Sequence, residues 1–348
     1  MPMSYLYGKK FVGPITPTIL EIREELYSTP YHEVNWNKAR VTCAKALDMI
    51  CCWIDDPNSD ALRLHIPRIY DYLWLAEDGM KAQALLLLSN ISPNLVGDPI
   101  KEERLYDAVD CLLSFKNKDG TFSAYECKRT TSLIEVLNPS ESFLNIMVDY
   151  PSVECTSSVV EALVMFSEIY PGYRKDEIGK CIKKCSMFIE NSQQKDGSWF
   201  GTWGICFTYG TLFAVKGLVA AGSTYENSSF IRKACNFLLS KQLSTGGWGE
   251  TYLSSESKSY VDATSPHAVN TAWAMLALVY AGQIERDPTP LYHAAKELMN
   301  MQLDTGEFPQ QEHVGCFNSS LYFNYGNYRN LYPIWAIGEF RRRLLEKN

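Results

Sequence analysis

The stretch Gln193-Gln-Lys-Asp-Gly-Ser-Trp199 decides the fold, because related stretches recur along the chain. These are Lys116-Asn-Lys-Asp-Gly-Thr-Phe122, Gln242-Leu-Ser-Thr-Gly-Gly-Trp248 and Gln302-Leu-Asp-Thr-Gly-Glu-Phe308. In each, a polar side chain lies six residues before an aromatic ring, with a glycine between them. Such a side chain can bond the backbone groups that a helix end leaves unpaired, while the ring packs over the turn. The repeat predicts stacked helical hairpins, and its unequal spacing argues against a regular solenoid.

The pattern between the repeats is helical. Ile178, Ile182, Cys185 and Ile189 follow at steps of four, three and four, which is the apolar stripe of an amphipathic helix. No stretch alternates convincingly between apolar and polar residues. The fold class is therefore predicted to be all-α.

Several helix boundaries can be placed from the sequence. Ser265-Pro266 and Thr289-Pro290 each predict an N-cap followed by proline at the first helical position. Gly172, Gly222 and Gly282 stand where helices are expected to end.

Composition excludes several classes of protein. The chain has 348 residues, of which 46% are hydrophobic and 21% charged, as in a globular protein. Its net charge of -7 argues against nucleic acid as the main partner. The 11 cysteines and five histidines show no zinc spacing, which predicts reduced thiols.

The first residues do not resemble a signal peptide, and the apolar run Ala272 to Ala281 is too short to cross a bilayer. The aromatic content of 13% is suited to a large core or a deep apolar cavity.

Longer motifs resemble the plant oxidosqualene cyclases of the terpene cyclase/mutase family, and the four repeats are similar to the QW motifs of those enzymes. The most recognisable stretch is Asp196-Gly-Ser-Trp-Phe-Gly-Thr-Trp-Gly-Ile-Cys-Phe-Thr-Tyr-Gly210. The others, in family order, are Met3-Ser-Tyr-Leu-Tyr-Gly-Lys-Lys-Phe-Val-Gly-Pro-Ile-Thr16, Asn138-Pro-Ser-Glu-Ser-Phe143, Val153-Glu-Cys-Thr-Ser-Ser158, Gly246-Gly-Trp-Gly-Glu250 and Phe308-Pro-Gln-Gln-Glu312.

The resemblance implies that the chain is the C-terminal portion of such a cyclase, with internal deletions. Family members are about twice as long and contain two α/α-barrel domains. One deletion is expected after Lys45 and a larger one after Lys81, where the chain passes directly to Ala82. A skipped exon or a faulty gene model would explain both. Residues 1–81 are then a fragment of the region that leads into the catalytic barrel. Residues 82–348 are an incomplete α/α-barrel (toroid) domain.

The larger deletion removes the family's catalytic acid. In the family, the Asp of an Asp-Cys-Thr-Ala-Glu motif protonates the epoxide of 2,3-oxidosqualene, and this motif does not occur in the sequence. Asp78 and Asp110 are not assigned as replacements. Asp78 belongs to a different motif, and Asp110 lies in a helix whose family counterpart is structural.

The resemblance also assigns the remaining site residues. Cys155 matches the cysteine that hydrogen-bonds the catalytic Asp, and Tyr125, Trp203, Phe317 and Tyr325 match aromatic positions of the substrate cavity. Aromatic faces stabilise the carbocations through which cyclisation proceeds. The residues assigned a structural role in the QW-type repeats are Phe122, Gln193, Trp199, Gln242, Trp248, Gln302 and Phe308.

By resemblance, the protein is an isomerase (an intramolecular transferase) that cyclises oxidosqualene to a triterpenoid or sterol precursor. It needs no metal or other cofactor. It works on a lipid at one membrane leaflet, on the cytosolic face of the endoplasmic reticulum or on a lipid droplet. Because the acid motif is missing, this chain is expected to be inactive.

Three alternatives stay open. The chain could be a non-catalytic remnant or helical scaffold. It could be a glycosidase that uses Glu250 and Glu312 as its two carboxylates. It could be a prenyltransferase subunit, although His32, His65, His267, His293 and His313 show no zinc set.

Overall fold

The computed structural model describes residues 15–17, 20, 101–138, 145–318 and 321–347. Apart from residues 15–17 and 20, the fragment predicted for residues 1–81 and its boundary at residue 82 lie outside the described residues. The chain divides into two compact units. Of the described residues, 101–129 and 149–347 belong to the larger unit. The smaller unit includes a 3-10 helix, Ser132–Leu137, and a carboxylate, Glu135, that accepts the backbone N–H of Val148 at 2.9 Å.

The larger unit is mostly helical, as the sequence predicts. Its helices are α1 (Glu102–Ser114), α2 (Val153–Ile169), α3 (Lys175–Asn191), α4 (Phe207–Ala220), α5 (Ser229–Ser240), α6 (Leu253–Ser257), α7 (Ala268–Tyr280), α8 (Gln283–Arg286), α9 (Thr289–Met301) and α10 (Gly326–Lys347). One element was not predicted: a short antiparallel hairpin of β1 (Gly315–Phe317) and β2 (Leu321–Phe323). Strands of three residues are too short to show an alternating pattern in the sequence.

The helices form two layers. In α7, every residue from Ala268 to Val279 is buried, and α4 is buried on almost all sides. Helix α4 packs against α2 and α7, and α7 packs against α10, so these four helices form an inner row. Helices α3, α5 and α9 bury one face each, and they pack against α2, α4 and α7 respectively. Helices that are apolar all round need neighbours on all sides, and the outer layer supplies them.

The stripe of α3 differs slightly from the prediction. Its buried residues are Ile178, Cys181, Cys185 and Ile189, and Ile182 is only partly buried. The thiol of Cys185 points inward and donates to the carbonyl of Gly120 at 3.2 Å. In the described part of the chain, the cysteines are thiols and form no disulfide.

The turn after α3 is formed by the repeat Gln193 to Trp199. The Gln193 side-chain amide donates to the carbonyls of Gly197 and Phe230, both at 2.9 Å. The indole N–H of Trp199 donates to the carbonyl of Ile189 at 2.5 Å, at the end of α3. Gly197 has φ +98°, a conformation that is costly for other residues. The Gln193 side chain thereby connects the end of α3 to the start of α5, and the Trp199 ring packs over the turn.

The other repeats form similar turns. The Gln242 amide donates to the carbonyls of Gly246 at 2.7 Å and Pro290 at 2.9 Å, and the Trp248 indole donates to that of Leu238 at 2.7 Å. Among the described residues, the Gln302 amide donates only to the carbonyl of Gly306, at 2.8 Å. Phe122 and Phe308 are buried rings in the equivalent places. The central glycines, Gly120, Gly197, Gly246 and Gly306, all have positive φ.

The start of α7 differs from the prediction. The N-cap is His267 rather than Ser265. His267 Nδ1 accepts the N–H of Val269 at 3.1 Å, and its Nε2 lies 3.1 Å from the carbonyl of Glu312. This geometry fits a neutral imidazole with its proton on Nε2. Burial lowers the pKa of His267 to about 4, so the ring is neutral at physiological pH.

The two-bond turns should contribute more to stability than the one-bond turn. We expect Gln193→Ala to lower the free energy of unfolding by about 1–2 kcal/mol, because two carbonyls lose a donor. Gln302→Ala is the matched control, since Gln302 makes one bond and is exposed, and its loss should be clearly smaller. Urea unfolding of both variants measures the difference. Equal losses would show that the second bond, to Phe230, contributes nothing.

His267 should make the fold sensitive to acid. Its pKa is lower in the folded chain than in the unfolded one, so its contribution is complete above the unfolded value of 6.5 and is lost as the pH falls toward 4. Between pH 7 and pH 5 the loss should be about 2 kcal/mol. His267→Asn keeps a capping oxygen but has no titrating ring, so its stability should fall less over the same interval. Thermal unfolding at both pH values tests this, and parallel curves for the two proteins would contradict it.

Candidate active site

The loop before α4 carries Trp203, and backbone hydrogen bonds hold it beside strand β1. The N–H of Ile205 donates to the carbonyl of Val314 at 2.8 Å, and the N–H of Cys316 donates to that of Trp203 at 3.2 Å. Gly204 is paired with Gly315 in an antiparallel bridge. The loop thus lies against the β1–β2 hairpin, although the two segments are more than a hundred residues apart in the sequence.

This pairing brings three of the predicted cavity rings together. The Trp203 ring centre lies 5.1 Å from that of Phe317 and 6.3 Å from that of Tyr125. Both contacts are edge-to-face, with interplanar angles of 71° and 77°. Trp203 is therefore the middle ring of the cluster Tyr125–Trp203–Phe317, called the aromatic wall below.

The fourth predicted ring, Tyr325, belongs to a neighbouring row. Its centre lies 4.6 Å from that of Phe323 and 5.0 Å from that of Tyr328. Burial raises the pKa of Tyr125, and the Asp149 carboxylate adds to the effect. Tyr125 and Tyr325 are 46% and 51% exposed, so these two rings are open to solvent.

Cys155 lies in the first turn of α2, directly after Glu154. Its backbone N–H donates to the hydroxyl of Ser152, the N-cap of the helix, at 3.2 Å. Burial raises the pKa of the Cys155 thiol to about 12, and the charges of Glu154 and Asp149 add to the effect. The thiol is therefore protonated at neutral pH. It can donate a hydrogen bond, but it is far too weak an acid to protonate an epoxide.

Glu250 holds the start of α4, which follows the Trp203 loop. One of its carboxylate oxygens accepts the N–H groups of Cys206 and Phe207, both at 3.0 Å. The other accepts the N–H of Thr208 at 3.0 Å and its hydroxyl at 2.8 Å. Burial raises the pKa of Glu250, and these hydrogen bonds oppose the rise. A carboxylate at a helix N-terminus satisfies otherwise unpaired N–H groups and interacts favourably with the helix dipole.

Glu154 holds the loop itself. Its Oε1 atom accepts the backbone N–H groups of both Thr202 and Trp203, the latter at 3.1 Å. Within the part of the chain that the structure describes, its buried Oε2 atom has no hydrogen-bond partner. Burial raises the pKa of Glu154, and the hydrogen bonds oppose the rise. The carboxylate thus uses only one of its two oxygens.

Asp149 holds the loop that carries Tyr125. Its Oδ1 accepts the N–H of Ala124 at 3.1 Å, and its Oδ2 accepts those of Tyr125 at 2.5 Å and Glu126 at 2.8 Å. Burial raises the pKa of Asp149, against the effect of these bonds. Sequence reasoning missed Asp149 and Glu154 as site residues. Their partners are backbone groups of distant loops, which no sequence pattern reveals.

Two glycines let the loop fold closely over Tyr209. A Cβ atom at Gly201 would lie 2.4 Å from the Tyr209 ring, and one at Gly204 would lie 2.6 Å from it. Neither position tolerates a side chain without a shift of the ring. The Tyr209 ring in turn packs against Trp273 of α7, with ring centres 4.9 Å apart. The loop is therefore seated on the inner row of helices.

Among the carboxylates named from the sequence, Asp110 and Glu250 already have hydrogen-bond partners. Asp110 is half exposed and bonds Arg174 at 2.5 Å and the Tyr173 hydroxyl at 2.9 Å. Asp78 lies outside the described residues. Glu250, one half of the glycosidase pair considered above, is buried with both oxygens bonded, whereas Glu312 is exposed. In the part of the chain that the structure describes, no group of three His, Cys, Asp or Glu residues could hold a metal ion.

The family is decided by comparison with known proteins. Residues 81–342 match the family model described as the squalene-hopene cyclase C-terminal domain. The chain is 33% identical over 492 residues to the lanosterol synthase of Homo sapiens, an alignment that covers 100% of this chain and 67% of that protein. The chain belongs to the oxidosqualene cyclase family. The resemblance seen in the motifs is thereby confirmed.

Other relatives show how the chain differs from the family. The alpha-onocerin synthase of Lycopodium clavatum is 32% identical over 493 residues, covering 100% of this chain and 64% of that protein. The chain thus spans about two thirds of the length of the relatives it matches. Because the alignment extends over 493 positions and the chain has 348 residues, the relative contains internal stretches that this chain lacks. This agrees with the predicted internal deletions.

The lanosterol synthase of Saccharomyces cerevisiae matches a shorter part of the chain at higher identity. It is 44% identical over 266 residues, which cover 75% of this chain and 36% of that protein. Among solved structures, the type II terpene cyclase MstE from Scytonema has a TM-score of 0.46 and 14% identity, covering 70% of this chain and 69% of that chain.

The contribution of the Glu250 hydrogen bonds to the stability of α4 can be tested by an isosteric substitution. Glu250→Gln keeps one acceptor oxygen but turns an NH₂ group toward the groups of Thr208. We expect the free energy of unfolding to fall by about 2–3 kcal/mol, since buried N–H groups lose their acceptor. Glu256→Gln, at an exposed position of α6, should change it by less than about 0.5 kcal/mol. Urea unfolding gives both values, and a stable Glu250→Gln protein would show that the charge is not needed.

Proposed function

We propose that this chain is a triterpene cyclase-type protein whose aromatic wall accommodates the cationic intermediates formed from 2,3-oxidosqualene, and that it does not start the cyclisation by itself. The observation that carries the proposal is the arrangement of Tyr125, Trp203 and Phe317 as one edge-to-face cluster, with Trp203 in the middle. The substrate class comes from the family, whose relatives include lanosterol synthases.

The chemistry of the wall suits carbocations. A ring face within about 6 Å stabilises a cation by about 0.5–2 kcal/mol, and more where water is excluded. Aromatic rings do this without acting as nucleophiles or bases toward the cation, as a carboxylate or an amine could. The Tyr125 hydroxyl has a raised pKa and stays neutral. The side chains of the wall can therefore stabilise charge without themselves reacting with the cation.

Initiation is the missing part. The sequence contains no Asp-Cys-Thr-Ala-Glu motif, and Cys155 would be the hydrogen-bond partner of that acid. With a pKa of about 12, the Cys155 thiol cannot take over the role of the acid. The chain thus keeps the residues that guide a cation but not the residue that creates one.

The finer architecture also belongs to this proposal. The inner row α2–α4–α7–α10 and the outer helices α3, α5 and α9 are the layers from which an α/α-barrel is built, and the four turns correspond to QW-type repeats. Residues 82–348 would form this domain. A lipid substrate places the protein at one membrane leaflet. Within the described residues, no helix is long and apolar enough to cross a bilayer.

A second candidate is a non-catalytic remnant that acts as a helical scaffold. Leu331 and Ile334 of α10 favour it, because they are 59% and 55% exposed on one side of an inner helix. Exposed apolar side chains of this size promote association with other chains. Gel filtration separates the candidates, since a scaffold or an aggregating remnant would elute well above the monomer mass.

Activity is tested in a host that accumulates oxidosqualene and has no cyclase of its own. We expect the chain to yield no cyclised product by mass analysis, while a full-length lanosterol synthase does. A chimera that inserts the acid-bearing segment of that synthase between Lys81 and Ala82 should produce a cyclised triterpene. A product from the chain as it stands would contradict the proposal, because another residue would then supply the proton.

A further inference from the structure

Tyr125 and Trp203 come from loops far apart in the sequence, yet both loops are held by the short segment that leads into α2. Asp149 holds the Tyr125 loop through three backbone N–H groups, and Glu154 holds the Trp203 loop through two. Cys155 directly follows Glu154. Residues 149–155, called the anchor segment below, thus bind the backbone of both loops that carry the Tyr125–Trp203 ring pair.

The bonds act on the backbone of the ring residues themselves. Glu154 accepts the N–H of Trp203, while the carbonyl of Trp203 accepts the N–H of Cys316 at 3.2 Å. The peptide groups on both sides of Trp203 are therefore fixed, which sets the direction of its side chain. Asp149 does the same for the N–H of Tyr125.

We propose that Asp149 and Glu154 are the positioning residues of the aromatic wall: the anchor segment sets the distance between Tyr125 and Trp203, and with it the preference of the wall for a cation. The proposal rests on the proposed function, since it assumes that the wall binds cations. It goes beyond it, because both carboxylates act through backbone N–H groups of the loops that carry the rings.

The two residues should respond differently to loss of charge. Among the described residues, Glu154 accepts backbone N–H groups of the Trp203 loop through Oε1 alone, and its Oε2 has no partner. An amide can therefore place its oxygen on Thr202 and Trp203 and its NH₂ group in the position of Oε2. Asp149 uses both oxygens, so an amide must turn its NH₂ group toward at least one N–H donor. Glu154→Gln should therefore preserve the wall, whereas Asp149→Asn should disturb it.

The readout is the affinity for a cation divided by the affinity for an uncharged molecule of the same shape. A general loss of stability should lower both affinities and leave this ratio unchanged. Choline and its uncharged isostere 3,3-dimethylbutan-1-ol have the same shape, so their affinity ratio reports cation stabilisation by correctly placed rings. NMR titration of the full chain with each probe gives the ratio for the wild type and the variants. Trp203→Ala is the positive control and should lower the ratio toward one.

We expect Glu154→Ala and Asp149→Asn each to lower the ratio by about threefold or more, as for loss of one ring contact. Glu154→Gln should stay within about twofold of the wild type, because its acceptor oxygen is kept. In a Trp203→Ala background, Glu154→Ala should have no further effect on the ratio. Glu161→Ala is the matched control, since it removes another largely buried carboxylate from α2, one that pairs with Lys216 at 2.9 Å rather than with a ring loop.

The outcomes separate the two proposals. A wild-type chain without cation preference would overturn the aromatic wall as a cation site, and the positioning proposal with it. A wild-type preference that survives Glu154→Ala and Asp149→Asn would overturn the positioning proposal alone. A ratio lowered equally by Glu161→Ala would show that the effect is a general loss of structure, which also overturns it. If Glu154→Ala does not fold, the contrast between Glu154→Gln and Asp149→Asn decides.

Discussion

Buried carboxylates that accept backbone N–H groups are the interaction on which the site depends. Glu250, Glu154 and Asp149 together accept eight backbone N–H groups, and none of the three forms an ion pair with another described residue. A buried charge is costly unless it is well hydrogen-bonded. The same cost makes the arrangement specific, because a loop that moves away leaves both the carboxylate and the N–H groups without partners. These hydrogen bonds can thereby fix the positions of loop residues that belong to no helix or strand.

The inner helices provide the surface on which these loops are fixed. Helices α4 and α7 are buried on nearly all sides, and Tyr209 and Trp273 bring them together below the Trp203 loop. The turns after α3 and α5 add glutamine side chains that join one outer helix to the next. Apolar packing thus determines where the helices lie, and polar bonds to backbone groups determine how the connecting loops leave them.

Stabilising a cation and creating one are separate tasks, and under the proposed function this chain keeps residues for the first task only. The aromatic wall and Cys155 lie within residues 81–342, the part that matches the family model. The acid belongs to a motif that the sequence does not contain. A deletion can therefore remove initiation while the wall keeps its local supports, because Asp149, Glu154 and Glu250 are all close in space to what they hold. This is why we propose a site that is intact in part and still inactive.

The sequence alone determined the helical class, the repeated turns and the family. Those features depend on short-range rules: a stripe of Ile178, Cys185 and Ile189, a glycine with positive φ at Gly197, and motifs that are contiguous. Even there, the sequence favoured Ser265 as the cap of α7, where the buried imidazole of His267 takes that place. Only the tertiary structure showed that Trp203 lies beside Phe317, and that Asp149 and Glu154 hold the two loops of the ring pair. A carboxylate that bonds backbone N–H groups needs no particular side chain in its partner. Its role therefore leaves no trace in the sequence and is decided by which loops the packed helices bring within its reach.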